Sequence, residues 1–147
     1  MLKHQLLQPQ ILEALGRAGH SSKVLIADGN YPASTRLGRR ASLVSMNLSP
    51  GVVSCTDVLA ALVTAIPIEA AAVMQYATTG PYAMTQDPPI WAEFRSILAG
   101  VRHNVALEQE ERFAFYEMAG SDDVCLTIAT ADQRIYANLL LTIGVVM

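Results

Sequence analysis

Apolar residues recur along the chain in two rhythms, and the switches between them divide it into elements. Ile11, Leu12 and Leu15 recur at helical spacing after Pro9, which suits a first helical position. The pattern predicts a helix from Pro9 to about Ala18, with Gly19 at its C′ stop. Lys23 to Ala27 (KVLIA) has the short apolar run of a buried strand, and Asp28 to Ser34 (DGNYPAS) is dense in turn residues. Ser42 to Leu48 reads as a second strand, ended by Pro50-Gly51. Ser54 followed three residues on by Asp57 resembles a capping box and predicts a helix reaching about Ile66, before Pro67.

Ile68 to Tyr76 reads as a strand and Thr78 to Pro89 as a loop. Ile90 to Ala99 is an amphipathic helix with Trp91, Phe94 and Leu98 on one side. Glu108 to Ala119 reads as one helix with an acidic first turn. Val124 to Thr130 and Asn138 to Ile143 read as strands around the turn ADQRIYA. Strands alternate with helices, which predicts an α/β layer fold with a largely parallel sheet in a single domain over residues 1–147. The helix precedes the first strand, and no GxGxxG or GxxxxGK[ST] occurs, so nucleotide-binding fingerprints are excluded.

Composition adds one expectation. Only 16% of the 147 residues are charged and 52% are hydrophobic. From Ala41 to Ala92 there is no Lys or Arg, and the only acids are Asp57, Glu69 and Asp87. A small domain buries only part of such a stretch, so the rest is expected to face other copies of the chain. The net charge of −3 lacks the basic stripe of a nucleic-acid binder. The N-terminus lacks the apolar core of a signal peptide, and no stretch reads as a membrane span. The expected compartment is the cytoplasm. Cys55 and Cys125 stand far apart in apolar runs and read as buried free thiols, with no metal spacing.

Few residues offer chemistry. His20 can act as acid or base near neutrality, or can cap the first helix. Asp28 ends the KVLIA strand, where α/β sheets bind ligands; it can accept from a polyol or close an Asx-turn. Tyr136, Ala137 and Asn138 open the last strand and offer a stacking ring, main-chain groups and an amide to sugar hydroxyls, or form a plain turn. In the run RFAFYE, Arg112 and Tyr116 share a helix face; Arg112 can clamp a hydroxyl or pair with Glu108 or a neighbouring subunit. His4 and His103 have no comparable surroundings and are expected at the surface. GxSxG and HExxH are absent.

Three segments in order, LGRAGHSSKVLIADGNYP, ERFAFYEMA and IYANLLLTIGVV, resemble the RbsD/FucU family of D-ribose pyranases and L-fucose mutarotases. The resemblance runs nearly end to end. It implies an RbsD-like three-layer α/β/α fold and a cofactor-free, metal-free isomerase acting on a monosaccharide. It makes His20 the acid/base residue and Asp28, Arg112, Tyr116, Tyr136, Ala137 and Asn138 the substrate-binding set. It also implies a homo-oligomeric ring, commonly a decamer, with sites near subunit contacts. The RFAFYE run resembles the fucose branch, since ribose-type members tend to carry histidine where this chain has Arg112. Fucose-type members often carry a histidine two residues after the aspartate, where this chain has Asn30. Ribose pyranase activity and non-catalytic sugar binding are the alternatives.

Overall fold

The computed structural model describes residues 2–101 and 105–146. In chain order the elements are α1 (Pro9–Arg17), β1 (Lys23–Ala27), β2 (Ser42–Ser45), α2 (Cys55–Leu62), β3 (Ile68–Met74), α3 (Pro89–Leu98), β4 (Leu107–Glu110), α4 (Arg112–Ala119), β5 (Val124–Ala129) and β6 (Leu139–Ile143). The strands form one six-stranded sheet in the order β2-β5-β1-β6-β3-β4. The pairs β1–β5, β2–β5 and β3–β4 are parallel, whereas β6 runs antiparallel to both β1 and β3. Five strands therefore point one way and β6 alone points back. The start of β6 consequently lies at the same edge as the ends of the others.

Helices cover both faces, as expected for three layers. The larger core packs α1, α2 and α3 on Val24, Ile26, Leu126, Ile128, Val73, Leu139 and Leu141. The smaller packs Phe115 and Ala119 of α4 on Leu25, Ala27, Val124, Met74 and Leu140. Alternate residues of β1 thus feed opposite layers, as the period-2 pleat requires, and this explains the uninterrupted apolar run KVLIA. Each large apolar side chain so buried contributes about 1.5–3 kcal/mol.

Local chemistry explains the helix starts. Pro9 occupies N1 of α1, and the Gln8 side chain accepts the Ile11 N–H at 2.7 Å. Ser54 and Asp57 form the full capping box of α2. At the end of α1, Gly19 follows the Ala18 C-cap, but the left-handed turn is made by Ser21 at φ 68°.

The structure corrects several boundaries. β2 ends at Ser45 and α2 at Leu62, both short of their expected limits. The expected helix over Glu108–Ala119 is two elements. LEQE is the edge strand β4, paired with Ala71–Met74, and Glu111 is the N-cap of α4, its carboxylate accepting the N–H groups of Phe113 and Ala114. Cys125 is only half-buried, though Cys55 is buried; both are free thiols. His4 is exposed, and His103 lies outside the described residues. Part of the charge-poor stretch is core, including Val58, Leu59 and Ile68, but Leu43, Leu48, Val52 and Tyr82 remain exposed. No helix among the described residues is long and apolar enough to cross a membrane.

Candidate active site

The edge where β1 and β3 end and β6 begins carries a cleft of about 350 Å³. Asp28, Arg112, Tyr116, Tyr136 and Asn138 all line it, so residues from three separated segments converge there. Asn30, Tyr31, Met74, Tyr82 and Ile135 complete the wall. Aromatic rings set among an acid, two amides and an arginine suit a polar small molecule with an apolar face.

Asp28 is the centre of this edge. It is 4% exposed. Its Oδ1 accepts the Asn30 N–H at 2.9 Å, closing an Asx-turn. Its Oδ2 accepts the Ala137 N–H at 3.2 Å and the Asn138 Nδ2–H at 3.0 Å. In return the Asp28 N–H donates to Asn138 Oδ1 at 2.9 Å. The two sides of the cleft, which are 110 residues apart in sequence, are locked by this reciprocal pair. Burial pushes the Asp28 carboxyl above its ordinary range, and the nearby Asp132 adds to this, while the N–H donors of Asn30, Ala137 and Tyr31 work against it. With three internal donors already bound, Asp28 has little accepting capacity left for a ligand. Asn138 and the main chain around it are held in place by the same bonds.

Tyr136 adopts φ 58°, a conformation few L residues occupy outside functional turns. Its hydroxyl accepts the Ala77 N–H at 3.0 Å and donates to the Tyr82 carbonyl at 3.0 Å. The loop between β3 and α3 is thereby fastened to the cleft wall, to which it contributes Tyr82. The Tyr136 carbonyl accepts the Trp91 Nε1–H at 2.8 Å.

On the far wall, Arg112 is the first residue of α4, and its guanidinium lies 5.9 Å from the centre of the Tyr116 ring. Arg36 lies 5.2 Å from the same ring, and Tyr31 packs against it at 5.7 Å between centroids. The alternative Arg112–Glu108 pair is not formed among the described residues, because Glu108 belongs to β4 and helical spacing does not apply. Among the described residues Arg112 makes no ion pair, and it lines the cleft. Tyr31, with a buried hydroxyl that has no partner among the described residues, was not evident from sequence; burial raises its pKa to about 12.

His20 is elsewhere. It precedes β1, so it sits at the sheet edge opposite Asp28. Its Nε2 is 3.0 Å from Oε2 of Glu69, near the start of β3, and the side chains are 54% and 38% exposed. It does not cap α1, whose C-cap is Ala18. Glu69 escaped sequence reasoning because it stands 49 residues away with no motif to link it. A carboxylate on one imidazole nitrogen fixes the ring's orientation, as in many acid/base sites.

Residues 1–146 match the RbsD / FucU transport protein family. The Homo sapiens fucose mutarotase is 32% identical over 145 residues, covering 95% of this chain and 90% of the human protein. The structure of FucU from Bifidobacterium longum aligns with a TM-score of 0.78 at 33% identity, covering 95% of each chain. The fold also matches the fucose mutarotase of Streptococcus pneumoniae, solved in complex with L-fucose, with a TM-score of 0.81 at 23% identity and 99% and 100% coverage. A match over essentially the whole sequence, joined to this degree of identity, establishes that the chain belongs to the RbsD/FucU family.

Proposed function

We propose that the protein is a mutarotase that interconverts the α and β anomers of a free monosaccharide, L-fucose or a close relative. The observation that carries the reading is the convergence of Arg112, Tyr116, Tyr136 and Asn138 on one cleft, backed by a rigid Asp28. The fucose assignment draws on Arg112 and on the relatives that carry that name.

The chemistry is a proton relay. The anomeric O1–H loses its proton and the ring oxygen gains one. The C1–O5 electron pair leaves with the ring oxygen and C1=O1 forms. The open aldehyde rotates about C1–C2, and the ring closes on the other carbonyl face by the reverse transfers. An aromatic face and an arginine hold the sugar, and the Asn138 amide and nearby main chain fix its hydroxyls. One positioned acid/base group contributes about 10²–10⁴-fold, which is useful for a reaction that already proceeds in water.

His20 is the acid/base group in this reading, and it comes from a second copy. Within one chain, β1 separates it from Asp28 by about 16 Å. An exposed histidine already oriented by Glu69 is suited to reach into a neighbour's cleft. Exposed Leu43, Leu48 and Val52 offer apolar surface for such assembly, and the isolated chain exposes 8110 Å². A folded monomer of this mass exposes roughly 7,000 Å². The proposed assembly is a closed ring.

Magnetisation-exchange NMR on equilibrated L-fucose, repeated with D-ribose, tests the reaction. Protein-dependent α/β exchange of fucose supports the mutarotase. Exchange with ribose alone would move the protein to the pyranase reaction. Binding without exchange would leave only a sugar-holding protein.

A further inference from the structure

Behind the cleft lies an ion pair, Asp132 with Arg134, neither of which lines the cleft itself. Asp132 is 2% exposed, which is rare for a carboxylate. The Arg134 guanidinium meets it as a fork, with Nη2 donating to Oδ2 at 2.6 Å and Nε to Oδ1 at 2.9 Å. The pair closes the 132–136 turn on itself. Asp132 Oδ2 also accepts the Cys55 N–H at 2.9 Å, at the start of α2. Arg134 Nη1 donates to the two Glu93 carboxylate oxygens of α3 at 2.9 and 3.0 Å. The ion pair therefore fixes the turn to two helices, Asp132 to α2 and Arg134 to α3.

Two contacts carry this rigidity to the cleft. The Asp132 carbonyl accepts the Gly29 N–H at 2.8 Å, just after Asp28. A Cβ on Gly29 would stand 3.1 Å from that carbonyl oxygen, so a side chain there would push the turn back by a few tenths of an ångström. Two residues beyond Arg134, Tyr136 is held in its left-handed conformation, with its carbonyl on Trp91. An exposed pair of the same residues would do little. Here the carboxylate is buried, the contact is two-pronged, and the turn it closes carries a strained site residue.

We propose that Arg134 is a positioning residue for the sugar site, holding Tyr136 and the Gly29 main chain in place through Asp132. The claim about rate rests on the mutarotase reading; the claim about position does not. Trp91 is the only tryptophan in the chain, so its indole N–H gives a single resonance that reports the bond to Tyr136. In Arg134→Ala that resonance moves, and anomer exchange at saturating sugar falls by about tenfold or more, since small misplacements near reacting groups cost that much. Both are read well below the thermal transition of the variant. Arg134→Lys keeps the charge without the fork and recovers part of both signals. Glu93→Gln leaves the pair intact and gives a smaller change in the same direction, which keeps the test open if Arg134→Ala folds poorly. Wild-type exchange in Arg134→Ala would overturn the proposal, as would lost exchange with the indole resonance unmoved. A wild-type protein that speeds no exchange would defeat the mutarotase reading instead, and the indole shift would then decide the positioning claim alone.

Discussion

His20 and Asp28 lie at opposite ends of β1. The strand between them spans Lys23–Ala27, so its length alone keeps the imidazole of one chain out of that chain's own cleft. If His20 supplies the proton, as proposed, reaction at the cleft requires two copies.

Glu69 should matter nearly as much as His20. Its carboxylate sits 3.0 Å from His20 Nε2 and selects the ring's tautomer and orientation. His20→Ala is expected to abolish protein-dependent exchange with fold and assembly retained. Glu69→Gln is expected to lower the exchange rate by about 10- to 100-fold, a usual cost of losing a supporting partner. Exchange NMR beside circular dichroism checks both; an unchanged rate in Glu69→Gln would reduce the pair to a surface contact.

Asp28→Asn tests whether the buried carboxylate is a structural centre. The substitution sets an amide N–H₂ against the N–H donors that Asp28 now accepts. Leaving those donors unmet costs about 1–3 kcal/mol, read as a lower thermal midpoint. The pH dependence has a definite sign. The folded-state pKa of Asp28 is raised above 3.8. The folded state therefore holds this proton more tightly than the unfolded state. That contribution to stability is present below pH 3.8 and is lost as pH rises through the raised value. Asp28→Asn should flatten this decline in stability across that window.

The capping box of α2 gives the opposite sign. Hydrogen bonds from the Ser54 side chain and N–H hold the Asp57 carboxyl below its ordinary value of 3.8. Asp57 therefore stabilises the fold above 3.8, and the benefit is lost as pH falls through the depressed value. Ser54→Ala should cost about 1 kcal/mol at neutral pH and reduce the acid sensitivity of unfolding.

Tyr136→Phe removes the hydroxyl that bridges the Ala77 N–H and the Tyr82 carbonyl. The Thr78–Pro89 loop should exchange its amide protons faster, and the sugar should bind more weakly as the Tyr82 wall of the cleft loosens. Hydrogen exchange followed by mass spectrometry reads the first effect; unchanged protection would mean the loop is held without this bridge.

Buried elements were the legible ones. KVLIA, the strand at Ile68 and the two last strands announce themselves because their apolar runs are long enough to be covered on both faces. Ser54 and Asp57 marked a helix start because capping acts over three residues. LEQE did not read as a strand. Its residues favour helices, and its pairing to β3 is an edge contact that leaves Glu108 and Gln109 exposed. The site residues stood out as chemistry-bearing groups and a family resemblance assigned their roles, but the structure alone put five of them on one cleft and His20 at the other edge. Glu69 and Arg134 were invisible because their partners are set by strand order and helix packing, which sequence spacing does not encode.

The shared site can be tested with two inactive variants. His20→Ala retains the cleft, and Arg112→Ala retains the histidine. Co-expressed with different tags and purified through both, they are expected to form mixed rings in which some clefts pair an intact Arg112 with an intact His20. Exchange NMR on L-fucose should show activity in the mixed rings and none in either parent ring. Mixed rings as inactive as both parents would contradict a site built from two copies.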